Sequence, residues 1–212
     1  MADVQGSFAT SAVPGTRFTD VRWVAETGST NADLLAAAAE GAPAGVVLLA
    51  DHQSAGRGRL DRSWVAPAGS SLLVSVLLRP ELPPDRLFLV TAAAGVASVD
   101  ACAEVAQASL GLKWPNDLVV TDGPLTDRKL SGVLAESVLT DGRVEAVVVG
   151  MGLNVNWGTA PPDELARIAT SLDLVVGHPV DRELLLIEWL RCFDRRLTEL
   201  ESDPATLIDA LR

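Results

Sequence analysis

Short, largely apolar stretches along the chain predict buried β-strands, because a strand covered on both faces carries few polar residues. Two such stretches cover residues 46–50 and 71–78. Two more, residues 129–138 and 144–150, flank an Asp-Gly pair at 141–142, which is a strong signal for a tight hairpin turn. We therefore expect two separate buried strands and one hairpin.

Other segments have the apolar spacing or the flanking residues of helices. The predicted helices cover residues 30–40, 85–107, 162–170 and 181–200. We expect Thr30 to cap the first of them, with Asp33 three residues later in a capping-box arrangement. In the last helix one apolar stripe is formed by Leu185, Trp189, Cys192, Phe193 and Leu197.

Three short strands complete the prediction: residues 23–25, and residues 112–114 and 118–120 on either side of a Pro-Asn-Asp turn. Strands interrupted by helices, together with a hairpin, favour an α/β or α+β domain with a mixed sheet flanked by helices. Residues 1–18 are small and polar and are expected to form a flexible tail. Residues 19–212 then form a single domain.

The charge balance is acidic: 17 Lys and Arg residues against 28 Asp and Glu residues give a net charge of −11. Binding to nucleic acids or anionic membranes needs a basic face, so this balance argues against both partners. No continuous apolar run is long enough to span a bilayer, and the N-terminus lacks a secretion signal. We expect a cytoplasmic protein in which Cys102 and Cys192 are small buried hydrophobic residues.

Residues 53–64 stand out against this acidic background. Arg57, Arg59 and Arg62 lie within six residues, with glycines between them, and no hydrophobic periodicity is present, so the segment is predicted to be a loop. Guanidinium groups bind phosphate and carboxylate through paired hydrogen bonds. The composition also fits a solvated loop or an RNA-binding patch, and the lysine and hydroxyl of a GxxxxGK[ST] phosphate loop are missing.

Three later segments carry candidate chemistry. Residues 113–118 place a cation, an amide and a carboxylate around a proline turn, where Asp117 could hold Mg²⁺ beside phosphates or simply cap the turn. Lys129 begins an apolar strand in which Gly132 leaves room for a ligand, although a lysine here also suits a sheet edge. Residues 150–156 end a strand with glycines and asparagines, but without the third glycine and the helix of a dinucleotide-binding fingerprint.

Five segments, taken in order, resemble the motifs of the biotin–protein ligase family. They are Ser29-Thr30-Asn31, GRGRLDRSW at 56–64, KWPNDL at 113–118, RKLSGVLAE at 128–136 and GMGLNVN at 150–156. The resemblance implies a catalytic domain related to class II aminoacyl-tRNA synthetases and lipoate ligases. It also implies that ATP and biotin, with Mg²⁺, give biotinoyl-AMP and pyrophosphate. Biotin then passes to a lysine of the biotin carboxyl carrier domain of acyl-CoA carboxylase, and the enzyme is expected to be a monomer or weak homodimer.

The resemblance also implies roles for individual residues. Those expected to bind biotin are Ser29, Thr30, Asn31, Gln53, Gly56, Arg57, Arg59, Lys129 and Gly132. Those expected to contact ATP or the adenylate are Arg59, Arg62, Trp64, Asn116, Asn154 and Asn156. Lys129, Arg57 and Arg59 are expected to be catalytic, and Asp117 is the expected metal ligand.

The sequence departs from the family pattern at several points. Asp61 stands where family loops often carry glycine. We expect neither the N-terminal DNA-binding domain of repressor-type ligases nor a C-terminal SH3-like domain. Three alternatives stay open from the residues alone: a lipoate–protein ligase, a nucleic-acid binder that uses the arginine loop, and a ligase of weak activity.

Overall fold

A seven-stranded mixed sheet forms the centre of the computed structural model, which describes residues 12–158, 165 and 167–210. Its strands are β1 (Asp20–Thr27), β2 (Val46–Gln53), β3 (Ser71–Leu78), β4 (Leu110–Lys113), β5 (Asp117–Val120), β6 (Lys129–Thr140) and β7 (Arg143–Asn154). In space they follow the order β1-β2-β3-β7-β6-β5-β4. β1 and β2 are parallel, and the other neighbouring pairs are antiparallel. The mixed sheet is therefore confirmed.

Helices cover both faces of the sheet. They are α1 (Thr30–Ala39), α2 (Phe88–Ala106), α3 (Leu172–Val176), α4 (Arg182–Ser202) and α5 (Pro204–Ala210). α2 and α4 pack on each other and enclose the larger core against one face. α1 lies on the opposite face, where Leu34 and Ala38 pack against Leu77 and Val148 in a smaller cluster. The strand-helix-strand unit β1-α1-β2 accounts for the parallel pair, because parallel neighbours need a crossover connection.

The apolar stripe predicted on α4 is confirmed, since all five of its residues are buried. The indole of Trp189 stacks on Phe193 at a centroid distance of 5.2 Å and donates a hydrogen bond of 2.9 Å to Ser98 Oγ on α2. A buried indole needs such a partner, because an unpaired N–H away from water costs about 1–3 kcal/mol. This contact fixes α4 against α2 under the sheet.

The β6–β7 hairpin confirms the turn predicted at Asp141-Gly142. Both residues have positive φ angles, 51° and 75°, which is the conformation that matches the twist of a two-residue hairpin. β6 and β7 stay in register over most of their length, with one irregularity between Val138 and Leu139. The long hairpin forms the middle of the sheet and half of the cavity described below.

Two predicted termini differ from the structure. The cap of α1 is Ser29, whose side chain accepts from the N–H of Ala32, and Thr30 is the first helical residue. Within the predicted tail, Val13 and Phe18 are buried, and Arg17 pairs with Asp194 of α4 at 2.7 Å. The prediction of a flexible tail is therefore wrong for residues 12–18, while residues 1–11 lie outside the described part of the chain.

The segment 84–106, which contains α2, is long and apolar enough by composition to cross a membrane. Its residues instead build the core: Val90, Ala93, Ala94 and Ala97 are fully buried against α4 and the sheet. Composition alone cannot separate such a helix from a membrane span. Among the described residues it is the one helix that meets this criterion.

The prediction of a helix over 162–170 falls partly on residues 162–164 and 166, which the structure does not describe, and it is not confirmed for the others. The described residues nearby form turns, and Ala169 makes an isolated parallel bridge to Lys129. The backbone N–H of Lys129 also donates to Ile168 O at 2.9 Å. This segment therefore reaches the first residue of β6, next to the candidate site.

Candidate active site

A cavity of about 290 Å³ opens on the face of the sheet that carries α1. The N-terminus of α1 and the end of β2 form one end, and β6 and β7 form the floor. The arginine-rich loop and the turn between β4 and β5 complete the enclosure. Four of the five segments singled out in the sequence contribute the predicted residues Ser29, Arg57, Asn116 and Lys129 to this single cavity.

Glycines in β6 and β7 give the cavity its floor. A Cβ atom on Gly150 would lie 2.1 Å from Asn31 Oδ1, and one on Gly152 would lie 2.3 Å from the Trp64 indole. Gly132 pairs with Gly152, and a Cβ atom added to Gly132 would lie 3.2 Å from both Lys129 Nζ and the Trp64 ring. Side chains can lie directly on the sheet here because these positions have no side chain of their own.

Hydrogen-bonding groups form the end of the cavity beneath α1. Gln53 Oε1 accepts from the backbone N–H of Thr30 at 2.8 Å and from the Thr30 hydroxyl at 3.0 Å. The Thr30 hydroxyl also lies 2.7 Å from Ser75 Oγ on β3. Ser29, Thr30 and Ser75 are buried. The structure thus brings Ser29, Thr30 and Gln53 together in what we call the polar wall, the three residues predicted to bind the ring of biotin.

Asn31 stands behind the polar wall and connects it to β6. Its Oδ1 accepts a hydrogen bond of 2.5 Å from Ser75 Oγ, and its Nδ2 donates to Glu136 Oε2 at 2.8 Å. Both ends of the amide are therefore occupied by protein groups, although Asn31 does line the cavity. We conclude that Asn31 holds the wall in place.

The predicted loop folds back on itself over the cavity. Arg57 and Ser63 form an antiparallel bridge, and Trp64 N donates to Gly56 O at 2.9 Å. A Cβ on Gly56 would lie 2.5 Å from Trp64 O, so Gly56 supports the base of the loop and does not line this cavity. Leu60, at the tip, is exposed.

The loop directs its arginines toward the cavity. Arg57 Nη2 lies 3.0 Å from Glu136 Oε2, and Arg59 Nη1 donates to Asn116 Oδ1 at 3.3 Å. The cations that line the cavity are Arg57, Arg59, Arg62 and Lys129. Asp61 forms no ion pair among the described residues, so it does not neutralise this cluster. Such a concentration of positive charge in an acidic chain favours an anionic ligand.

Lys129 lines the cavity beside Asp117 and Trp64. Its Nζ is 2.6 Å from Asp117 Oδ1 and 5.4 Å from the centroid of the Trp64 ring. The turn before Asp117 is fixed to β6, because Asn116 Nδ2 donates to Val133 O at 2.9 Å and Asn116 O accepts from Val133 N. Asn116, Asp117, Lys129 and Trp64 are therefore adjacent, as their predicted roles require.

The two asparagines after β7 have different surroundings. Asn154 Nδ2 donates to Thr170 O at 3.0 Å, while its buried Oδ1 has no partner among the described residues. Asn156 is different, since its amide pairs with both the N–H and the C=O of Val180. Neither lines the cavity described above. The structure gives Asn156 the task of holding the start of α4 instead of the predicted place at the adenylate.

Ser75 and Glu136 belong to the site but were absent from the sequence-based set. Ser75 is the one polar residue inside the apolar run of β3, which was an available signal. Glu136 ends the RKLSGVLAE motif, yet its contacts are with Asn31 and Arg57, 105 and 79 positions earlier in the chain. Sequence reasoning could not place partners so far apart.

Comparison with known proteins agrees with this geometry. Residues 26–154 match the model of the biotin/lipoate A/B protein ligase family. A biotin--[acetyl-CoA-carboxylase] ligase of Mycobacterium tuberculosis is 44% identical over 182 residues, which cover 83% of this chain and 63% of that protein. The bifunctional ligase/repressor BirA of Bacillus subtilis is 36% identical over 171 residues, which cover 80% of this chain and 51% of that protein.

The fold is also similar to that of solved biotin protein ligases. A biotin protein ligase from Aquifex aeolicus, solved with biotin and ATP, superposes with a TM-score of 0.74 at 31% identity, covering 88% of this chain and 73% of that chain. The chain belongs to the biotin/lipoate A/B protein ligase family. It spans about half the length of the Bacillus relative.

Proposed function

We propose that this chain is the catalytic part of a biotin–protein ligase, which activates biotin with ATP and transfers it to a lysine of a carrier protein. The observation that carries the proposal is the arrangement of one cavity with two unlike ends. A buried polar wall closes one end, and Lys129 with the arginine loop lies at the other. Biotin has the same asymmetry, with a cyclic urea at one end and a carboxylate at the other.

The polar wall favours biotin over lipoate, the other substrate that the family name allows. A cyclic urea offers N–H donors and a C=O acceptor to the hydroxyls of Ser29 and Thr30 and the amide of Gln53. The dithiolane ring of lipoate offers neither, so it would make no such hydrogen bonds to these groups. A site built to hydrogen-bond its ligand strongly rejects an analogue that lacks the hydrogen-bonding groups.

In the first step a carboxylate oxygen of biotin attacks the α-phosphorus of ATP, and the bond to the pyrophosphate oxygen breaks. Biotin is ionised at neutral pH, so no base is needed. The difficulty lies in bringing two anions together and stabilising the charge of the transition state. We assign this task to Lys129, with Arg57 and Arg59 closing the loop over the carboxylate and phosphates, and Arg62 beside the nucleotide.

Trp64 and Asn154 are the residues proposed for the adenosine part. They lie on the same face of β7, around and beyond Gly152. The indole Nε1 of Trp64 and Oδ1 of Asn154 are buried without a hydrogen-bond partner among the described residues, and buried polar atoms normally have one. A purine supplies a flat surface for the Trp64 indole. Asn154 lies behind the cavity lining, so it would contact the adenosine only after the lining shifts.

Mg²⁺ is proposed as the metal of the nucleotide. The oxygen donors of Asp117 and Asn116 fit it, because Mg²⁺ is commonly held by one or two carboxylates together with substrate phosphates. Asp117 Oδ1 pairs with Lys129 at 2.6 Å, which leaves Oδ2 for the metal. When bound, the metal would neutralise phosphate charge beside Lys129.

In the second step the amine of a carrier lysine attacks the acyl carbon of biotinoyl-AMP, an amide forms and AMP leaves. The attacking amine must first lose a proton, since its reference pKa is about 10.4. Asp117 is the carboxylate that lines the cavity and is our assignment for the acceptor. Names of the relatives point to a carrier domain of acetyl-CoA carboxylase as the partner.

Pyrophosphate release with biotin and ATP tests the proposal. The wild type is expected to release pyrophosphate in a biotin-dependent manner. In Lys129→Ala the rate of pyrophosphate release should fall about a hundredfold or more. Removing one preorganised donor that stabilises charge in the transition state typically costs that much. Arg143→Ala removes an equal charge from the exposed β6–β7 turn and should retain full activity.

Two results would contradict the assignment. Release of pyrophosphate that does not depend on Lys129 would refute the role of that residue. Calorimetric titration separates the substrates: tight binding of lipoate without binding of biotin would replace biotin by lipoate as the substrate. We expect the opposite preference.

A further inference from the structure

One continuous hydrogen-bonded chain links the polar wall to the arginine loop. It runs from Thr30 to Ser75 at 2.7 Å, from Ser75 to Asn31 at 2.5 Å and from Asn31 to Glu136 at 2.8 Å. Glu136 Oε2 then forms an ion pair with Arg57 Nη2 at 3.0 Å, which ends the chain at the loop. Four separate elements, α1, β3, β6 and the loop, contribute to this chain. Glu136 itself does not line the candidate active-site cavity.

The chemistry of each group fixes the direction of the chain. An ionised carboxylate only accepts hydrogen bonds, so Asn31 must turn its NH₂ toward Glu136 and its oxygen toward Ser75. Ser75 has one hydroxyl proton, and it is committed to Asn31 Oδ1. The oxygen of Ser75 is then left to accept from the hydroxyl of Thr30.

The consequence reaches the cavity. The single proton of Thr30 points into the protein, toward Ser75 or toward Gln53 Oε1 at 3.0 Å. A lone pair of Thr30 Oγ1 therefore faces the ligand, and the hydroxyl can accept but not donate there. If the amide of Asn31 turned round, Ser75 would direct its proton to Thr30 Oγ1 and occupy a lone pair of that oxygen, which would then accept less readily from the ligand.

We propose that Glu136 is a specificity-determining positioning residue: through Asn31 and Ser75 it holds the Thr30 hydroxyl as an acceptor, so that the site selects a ligand carrying an N–H group. The inference rests on the proposed function, in which the N–H belongs to the urea of biotin. The pairing of Glu136 with Arg57 does not by itself account for this selectivity, because that contact lies on the loop side of the chain.

The test compares the affinities of biotin and of biotin methylated at either ureido nitrogen, measured by calorimetry. The dissociation constant of a methylated analogue divided by that of biotin reports how strongly the site requires the N–H. For Glu136→Leu, which removes the acceptor, we expect this ratio to fall by about tenfold, the scale of one buried hydrogen bond. Glu136→Gln keeps an oxygen for Asn31 and should stay within about threefold of the wild type.

Three further variants separate the effect of the hydrogen-bonded chain from the effects of the Arg57 ion pair and of the lost charge. Ser75→Ala breaks the chain without touching Glu136 or Arg57 and should lower the ratio as Glu136→Leu does. It keeps the test decisive if the leucine variant does not fold. Arg57→Gln removes the ion pair and a cation of the cavity but leaves the chain from Glu136 to Thr30 intact, so it should weaken both ligands while leaving the ratio unchanged. Glu145→Gln removes an equal charge from an exposed position of β7 and should change neither affinity.

The inference is overturned if Glu136→Leu and Ser75→Ala weaken both ligands by the same factor, because Glu136 would then be a general structural support. It is also overturned if the wild type binds the methylated analogues as tightly as biotin. A wild type that binds no biotin at all refutes the proposed function instead, so the two failures are distinguishable.

Discussion

At the scale of single residues, the absence of a side chain at Gly152 determines where Trp64 can lie. The ideal Cβ of an alanine at this position would be 2.3 Å from the indole, well inside van der Waals contact. The contact is with the end of a side chain that can move, so the backbone of β7 need not shift. A change here should displace the ring while the fold is kept.

Gly152→Ala is expected to raise the dissociation constant of ATP by about tenfold, the scale of one base–aromatic stacking contact. The midpoint of thermal unfolding should change little. Calorimetric titration with ATP measures the first effect, and Gly28→Ala is the matched control, since a Cβ there meets nothing within 4 Å. An unchanged ATP affinity in Gly152→Ala would show that Trp64 does not contact the nucleotide.

The two cysteines show how burial changes the acidity of a single side chain. Burial raises the pKa of the Cys102 thiol to about 12 and that of Cys192 to about 11. Both are free and buried, as the sequence predicted. The reactive form of cysteine is the thiolate, so neither side chain is a nucleophile near neutral pH.

The raised pKa values predict a loss of stability in alkali. Above pH 9, the ordinary thiol value, Cys102 ionises in the unfolded chain but stays protonated in the folded one up to about pH 12. The unfolded state then binds fewer protons, so the free energy of unfolding falls as the pH rises through this window. Urea unfolding between pH 8 and 11 measures the slope, which should be shallower in Cys102→Ala. An equal slope in that variant would contradict the prediction.

At the scale of secondary-structure elements, the buried strands and the long helices were predictable because burial leaves an apolar pattern in the sequence. β1 was underestimated as residues 23–25, since it is an edge strand with exposed and half-exposed positions along Asp20–Thr27. The cap of α1 was placed one residue late, because Ser29, Thr30 and Asn31 are all good caps and only the backbone distinguishes them. The ordered part of the tail depends on Arg17 meeting α4, 177 positions away.

α4 offers a clean test of helix capping. Asp181 Oδ1 accepts from the N–H groups of Glu183 and Leu184 at 2.9 and 3.1 Å. Asp181→Ala should lower the free energy of unfolding by about 1 kcal/mol, or the thermal midpoint by about 2–4 °C. Asp181→Ser keeps an acceptor and should lose little. Since Asp181 lies outside the cavity, pyrophosphate release should be the same in all three proteins.

At the scale of the whole molecule, the ordered motifs predicted which segments form the site, and the structure brings them to one cavity. The sequence could not provide the contacts between segments. The sequence offered no reason for Gly150, which leaves room for Asn31, and it did not single out Ser75, which donates to Asn31 Oδ1. Such pairings depend on the order of strands in the sheet, which no local pattern contains.

The distribution of charge also belongs to this scale. The arginines are gathered at one cavity while the chain as a whole carries −11, so the protein should repel nucleic acids. We expect no retardation of single-stranded RNA or double-stranded DNA in gel-shift experiments at physiological salt. Binding that is strong at low salt and weakens steeply as salt increases would instead indicate a nucleic-acid surface.

The pairing of β3 with β7 has a consequence for how the molecule folds. It joins Ser71 to Asn154 and Leu78 to Val147, whereas β1-α1-β2-β3 and the β6–β7 hairpin each form from neighbouring parts of the chain. Contacts between such distant residues form slowly, because a long loop must close first. The cavity lies across the boundary between β3 and β7, with Ser75 on β3 and Gly150 on β7. A ligand bound there joins the two halves and should slow their separation during unfolding.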